Sequence, residues 1–170
     1  GLKNMKPVAG RFEPLDTHGH DFSIILDYAH TPDSLKNALD TAKSFAPARV
    51  VTIFGCGGNR DSSKRAIMGK IAGERSDFTI ITSDNPRFEE PAAIMAQIEE
   101  GMRQTDGKYI CIENRKEAIE HAVRNAKKDD VILLAGKGHE DYQEIKGVKH
   151  DFDEKVIVEE IMNRLGPAKK

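Results

Sequence analysis

Three short polar motifs, two of them glycine-bearing, each follow directly on a short apolar run. FGCGGNRD comes after Val50-Val51-Thr52-Ile53, SDNPR after Phe78-Thr79-Ile80-Ile81-Thr82, and GKGHE after Val131-Ile132-Leu133-Leu134-Ala135. In an open parallel sheet, ligands bind in the crevice beyond the carboxyl ends of the strands, so three motifs that each end a strand should converge on one pocket. Arg60, Asp84, Asn85, Arg87 and Glu140, set among glycines that allow close backbone approach, suit a small zwitterion with both ammonium and carboxylate groups.

The rest of the chain supplies the scaffold for such a crevice. Apolar runs at 22–26, 50–54, 78–82, 109–112 and 131–135 are short and largely β-branched or aromatic, as buried strands are. Helical stripes lie between them: Leu35, Ala38, Leu39, Ala42 and Phe45; Ile94, Met95, Ile98 and Met102; Ala118, Ile119, Ala122, Val123 and Ala126. Pro32 and Pro91 stand where first helical turns would begin. Alternating strands and helices predict an α/β fold with a doubly wound, mostly parallel sheet and right-handed crossovers. The tail departs from that rhythm. Tyr142 to Ile145 and Val148 to Phe152, around Lys146-Gly147, predict a hairpin that adds an antiparallel edge, and residues 154–165 a last helix with Val156, Ile157, Ile161 and Leu165 inward.

Composition narrows the function. At 170 residues the chain holds one domain with a real core. With 26 Lys+Arg against 28 Asp+Glu, and a net charge of −2, there is no global field for nucleic acid or an anionic membrane. No apolar stretch approaches the ~20 residues of a membrane span. Cys56 and Cys111 each end an apolar run, where a buried thiol is ordinary, and predict a reduced, cytoplasmic protein. The opening GLKNMKPVAG reads as a linker, with 1–10 leading from a preceding domain and 11–170 forming the domain itself.

Each motif has a plain reading and a functional one. GCGGNRD could cradle an anion at a helix start or simply make a tight turn, and no G-x-x-x-x-G-K-[ST] occurs in the 170 residues. Arg60 sits in the turn and is a binding candidate, whereas Lys64, Arg65 and Lys70 could line a carboxylate site or solvate a helix face. In SDNPR, Pro86 stiffens the loop and biases Asn85 toward extended backbone. Asp84 can accept from an ammonium, Asn85 can donate and accept, and Arg87 can hold a carboxylate; the plain alternative is that Asp84 caps the helix near Pro91. In GKGHE, His139 and Glu140 are adjacent and so unsuited to act on one atom, leaving a binding role for Glu140. The six histidines show no metal-ligand spacing, and no metal site is expected.

GRFE at 10–13, DYAHTPD at 27–33, FGCGGNRD at 54–61, SDNPR at 83–87 and GKGHEDYQ at 136–143, in this order and spacing, resemble the C-terminal domain of the Mur ligases, from Gly10 to about Leu165. Within that family the nearest likeness is to the ligase that adds meso-diaminopimelate to UDP-MurNAc-L-Ala-D-Glu in peptidoglycan precursor synthesis. The resemblance implies a Rossmann-like domain that closes over ATP held by a central domain and binds the incoming amino acid. Arg60, Asp84, Asn85, Arg87, Gly136 and Glu140 would hold diaminopimelate. Arg11 would reach the ATP phosphates, Asp27 the ribose, and Tyr28 and His30 the neighbourhood of the nucleotide. Magnesium would be held mainly by the central domain, and no catalytic residue is expected in this segment. The implied reaction is ATP-dependent amide formation through a phosphorylated glutamyl carboxylate. Ala9, Asn59, Ala66 and Phe88 depart from the family pattern, and Asn59 removes a charge where Asp is common. Alternatives are a ligase that adds lysine, disfavoured because Arg87 would then lack an anion, and a freestanding small-molecule binding module.

Overall fold

The structure, a computed structural model, describes residues 9–169. The linker expected over 1–10 lies outside them except for Ala9 and Gly10. The chain runs β1 (Glu13–Leu15), β2 (Ser23–Asp27), α1 (Pro32–Phe45), β3 (Val50–Phe54), α2 (Ser63–Arg75), β4 (Phe78–Ile81) and α3 (Pro91–Met102). It continues through β5 (Tyr109–Cys111), α4 (Arg115–Arg124), β6 (Val131–Ala135), β7 (Tyr142–Ile145), β8 (Val148–Asp151) and α5 (Glu154–Leu165).

Six strands form one sheet in the order β1-β2-β6-β3-β4-β5, parallel except for β1 against β2. The most apolar strand, Val131–Ala135, is therefore central, between β2 and β3. Side chains that alternate along the strands feed two separate cores. Ile25, Val50, Phe54, Ile81 and Leu133 pack against α1, α2 and α3. Ile24, Leu26, Val51, Ile53, Ile80, Ile132 and Leu134 pack against α4 and α5. The sheet is doubly wound, as the alternation of strands and helices implies.

The helix ends follow local chemistry. Thr31 caps α1 in a capping box with Ser34, and Pro32 occupies the first turn. Asn114 and Asp153 cap α4 and α5 through their side chains. Helix α2 shows no long apolar stripe in sequence because small residues form its contact face. A Cβ on Gly69 would stand 2.0 Å from Ile98 O, and one on Gly101 1.7 Å from Ala66 O, so the pair lets α2 and α3 approach backbone to backbone.

Three expectations are corrected. The hairpin forms, but β7 and β8 make a two-stranded sheet of their own, and the antiparallel edge of the main sheet is β1. In α5 the buried stripe is Ile157, Val158, Ile161 and Met162, while Val156, a turn-quarter away, is 53% exposed. Cys111 is exposed rather than buried; Cys56 is buried, and burial pushes its thiol up to about 12.

At the carboxyl end of the sheet, Arg115 and Glu154 form an ion pair without solvent exposure. Arg115 Nε donates to Glu154 Oε2 at 3.0 Å, and Nη2 donates to Ala135 O at 2.9 Å, so the starts of α4 and α5 are fastened to the end of β6. Removing one partner of such a pair leaves a buried charge uncompensated. Arg115→Met in the 170-residue chain should therefore cost about 3–5 kcal/mol by urea denaturation, with part recovered on adding Glu154→Leu. A loss under about 1 kcal/mol would show that the pair contributes little.

Candidate amino-acid site

The loops after β2, β3, β4 and β6 enclose a cavity of about 490 Å³. Its wall includes Arg60, Asp84, Asn85, Arg87, Gly136 and Glu140, together with Tyr28 and His30. Eight of the ten residues singled out in the sequence thus meet at one crevice; Arg11 and Asp27 are not among its lining residues.

The cavity's acidic residues gather around Lys137, the lysine of GKGHE, which is not itself a lining residue and whose side chain has no solvent exposure. Its Nζ donates to Asn85 Oδ1 at 3.0 Å and to Tyr142 O at 2.8 Å. It also stands 3.0 Å from Asp84 Oδ1 and 3.9 Å from Glu140 Oε1. The Asp84 contact is close but poorly aligned, and Asp84 Oδ1 is buried without a hydrogen-bond partner. Asp84 does not cap α3, whose first turn has no side-chain cap at all.

Asn85 is largely engaged within the protein. Its Oδ1 accepts from Lys137 and from Glu144 N at 2.9 Å, and its Nδ2 donates to Glu140 Oε1 at 3.4 Å. Glu140 faces the cavity, whereas His139 lies outside it, with its ring 5.5 Å from that of Tyr28. Burial, and then the charge of Asp84, raise the Glu140 carboxyl above its usual 4.5, against the opposing pull of Lys137, Asn85 and Arg87.

Two cations also line the wall. Arg60 is exposed and held only by its own loop, through Nη1 to Asn59 O at 3.0 Å. Arg87 is tighter, with Nη1 donating to Gly58 O at 2.9 Å and Nε 3.3 Å from Glu144 Oε2. The glycine-rich turn is packed against SDNPR: a Cβ on Gly58 would lie 1.9 Å from Pro86 O. Asn59 adopts φ 53° and its Oδ1 accepts from Phe88 N at 3.0 Å, a backbone role that suits an amide in the left-handed region.

A family model described as "Mur ligase, glutamate ligase domain" matches residues 10–138. The chain belongs to that family. It is 54% identical over 155 residues to the UDP-N-acetylmuramoyl-L-alanyl-D-glutamate–2,6-diaminopimelate ligase of Caldanaerobacter subterraneus subsp. tengcongensis, covering 91% of this chain and 32% of that protein. It is 45% identical over 166 residues to the ligase of the same name from Solibacter usitatus, covering 98% and 33%. A solved structure of a ligase of that name superposes with a TM-score of 0.87 at 37% identity, over 95% of this chain and 33% of that one. The chain spans about a third of the length of these relatives.

The family's GRFE and DYAH segments meet beside the cavity. Asp27 Oδ2 accepts from Phe12 N at 2.7 Å and Oδ1 from Ala29 N at 2.9 Å, so this carboxylate ties the two segments together. Burial raises Asp27, and those two N–H groups act against it. Arg11 is exposed. The Tyr28 and His30 rings lie 4.5 Å apart, and His30 O accepts from Lys64 Nζ.

Arg65 neither lines the cavity nor solvates a helix face. It is buried, and Nη2 donates to Gly57 O at 2.9 Å and to Glu89 Oε2 at 2.8 Å, while Nη1 donates to Gln97 Oε1 at 3.0 Å. It clamps the glycine-rich turn to the segment after SDNPR. A usable signal existed: Arg65 begins the set Arg65, Met68, Gly69 and Ala72 at helical spacing.

Lys137→Met should lower stability by about 3–5 kcal/mol, because the buried carboxylates lose their cation. It should also move Glu140 further up, so that Glu140 ionises only at higher pH. Chemical denaturation and a carboxyl-carbon NMR titration of Glu140 test both, and an unmoved Glu140 would show that Lys137 does not govern its charge.

Proposed function

We propose that this chain is the amino-acid-binding C-terminal domain, over 11–170, of an ATP-dependent ligase that adds meso-diaminopimelate to UDP-MurNAc-L-Ala-D-Glu. The observation that carries this reading is the single cavity lined by Arg60, Asp84, Asn85, Arg87, Gly136 and Glu140, whose wall thus holds both the carboxylates of Asp84 and Glu140 and the guanidinium groups of Arg60 and Arg87. Diaminopimelate bears an ammonium and a carboxylate at each end. Arg87 takes the distal carboxylate and Glu140 the distal ammonium, which leaves the other amine free to be presented to the glutamyl carbon. The names of the relatives support this choice of amino acid.

ATP, when bound, supplies the phosphoryl group that activates the glutamyl carboxyl. On this chain Tyr28 and His30 offer a ring surface in the cavity wall and Arg11 an exposed guanidinium, which fit a nucleotide beside the amino-acid site. Asp27 fits less directly, since each of its oxygens already accepts a backbone N–H, and a ribose hydroxyl would use a remaining lone pair. Magnesium is assigned mainly to the preceding central domain, and the whole enzyme to the cytoplasm. Among the described residues no helix is long and apolar enough to cross a membrane.

Arg87 already has an anionic neighbour in Glu144, so it is not left unpaired when the ligand lacks a distal carboxylate. Its contribution should therefore fall at the lower end of the range for buried pairs. In the full-length enzyme, Arg87→Ala should weaken diaminopimelate by about 2 kcal/mol and affect lysine little, as read from kcat/KM. Glu140→Ala should weaken both, because both carry an amine at that end. Equal losses for both amino acids on Arg87→Ala would place Arg87 on a shared group and remove it from selectivity.

A further inference from the structure

The hairpin β7–β8 lies beyond the residues matched by the family model and forms a sheet of its own, yet it is bound closely to SDNPR. Arg87 N donates to Glu144 O at 3.0 Å, and Lys146 N donates to Arg87 O at 2.7 Å, with a parallel bridge between Arg87 and Ile145. Gln143 Nε2 donates to Asp84 O at 2.8 Å, and Glu144 N to Asn85 Oδ1. Every residue from Asp84 to Arg87 except Pro86 is thus held by the hairpin. Arg87 needs such support, since it is a non-glycine residue at φ 52°.

The side chains repeat the pattern. Arg87 lines the cavity and Glu144 does not. Glu144 sits on the Nε edge, Gly58 O takes one Nη1 hydrogen, and the remaining Nη donors are available to a ligand. We propose that Glu144 positions Arg87 and thereby sets the preference for an amino acid with a distal carboxylate; this rests on the diaminopimelate reading above.

Two effects of Glu144 oppose each other. Its charge repels a ligand carboxylate, but it also holds Arg87 away from Asp84 and Glu140, the cavity's own carboxylates. The second effect outweighs the first. Glu144 lies on the far edge of the guanidinium and is partly solvated, with its side chain 24% exposed, so its repulsion is screened. An Arg87 released toward Asp84 or Glu140 would lose its place and also neutralise the ammonium site.

The test is a double-mutant cycle in the full-length enzyme with Glu144→Gln, Arg87→Ala and both together. Glu144→Gln should raise KM for diaminopimelate about tenfold, leave kcat and the KM for ATP within about twofold, and add nothing further in the Arg87→Ala background. Gln143→Ala, which loosens the hairpin without touching Arg87, should leave the preference over lysine intact. Tighter diaminopimelate binding by Glu144→Gln, an equal effect in the Arg87→Ala background, or the same loss in Gln143→Ala would each overturn the proposal. If Arg87→Ala removes the preference while Glu144→Gln does not, the role of Glu144 fails and the diaminopimelate reading stands. An unchanged preference in Arg87→Ala brings down both.

Discussion

A lysine ammonium with no exposure to water must be surrounded by acceptors, and in this domain the acceptors of Lys137 come from three separate stretches of chain. SDNPR brings Asp84 and Asn85, the end of GKGHE brings Glu140, and the hairpin brings Tyr142 O. Desolvating that charge costs several kcal/mol, recovered only while the partners keep their positions. The site is consequently built before any ligand arrives. Asp84 and Glu140 are held close together although their charges repel, because Lys137 lies within reach of both; burial first, and then the charge of Asp84, leave the Glu140 carboxyl raised. A preformed acidic corner of this kind receives an ammonium with little rearrangement.

Around this centre the same device recurs. Arg65 holds the glycine-rich turn to the segment following SDNPR, and Arg115 holds the ends of β4 and β6 to α5, with Nη1 3.5 Å from Ser83 O. The loops after β3, β4 and β6 are thus tied to neighbouring segments by buried cations, whereas the loop after β2 is tied to the GRFE segment by the Asp27 carboxylate. Carbonyl groups at strand ends need donors once they are buried, and a guanidinium serves several at once. The apolar cores on the two faces fix the strands, and the cations fix the loops.

Much of this was legible in the sequence. The five strand positions, the helical stripes and the convergence of three motifs follow from periodicity and from the position of polar loops after apolar runs. The buried charges were harder to read, yet they left a common trace. Arg65, Arg115 and Glu154 each occupy the first position of a helical stripe: Arg65 before Met68, Gly69 and Ala72; Arg115 before Ala118, Ile119 and Ala122; Glu154 before Ile157, Val158 and Ile161. A charge in that place points inward at the sheet end where carbonyls and loops need partners. The separation of the hairpin from the main sheet had no such trace, since strand period alone does not say which strand is the neighbour. The engagement of Asn85 and Asp27 by backbone groups was equally hidden, because it depends on contacts between distant segments.

The central claim is that one crevice reads both ends of a zwitterion, with the distal carboxylate distinguishing diaminopimelate from lysine. Calorimetric titration of the full-length protein with each amino acid, in the presence of nucleotide and precursor, measures this directly. The account predicts that diaminopimelate binds more tightly by at least about 2 kcal/mol, roughly thirtyfold, for one charge-assisted pair that lysine cannot make. Equal affinities, or tighter binding of lysine, would contradict it.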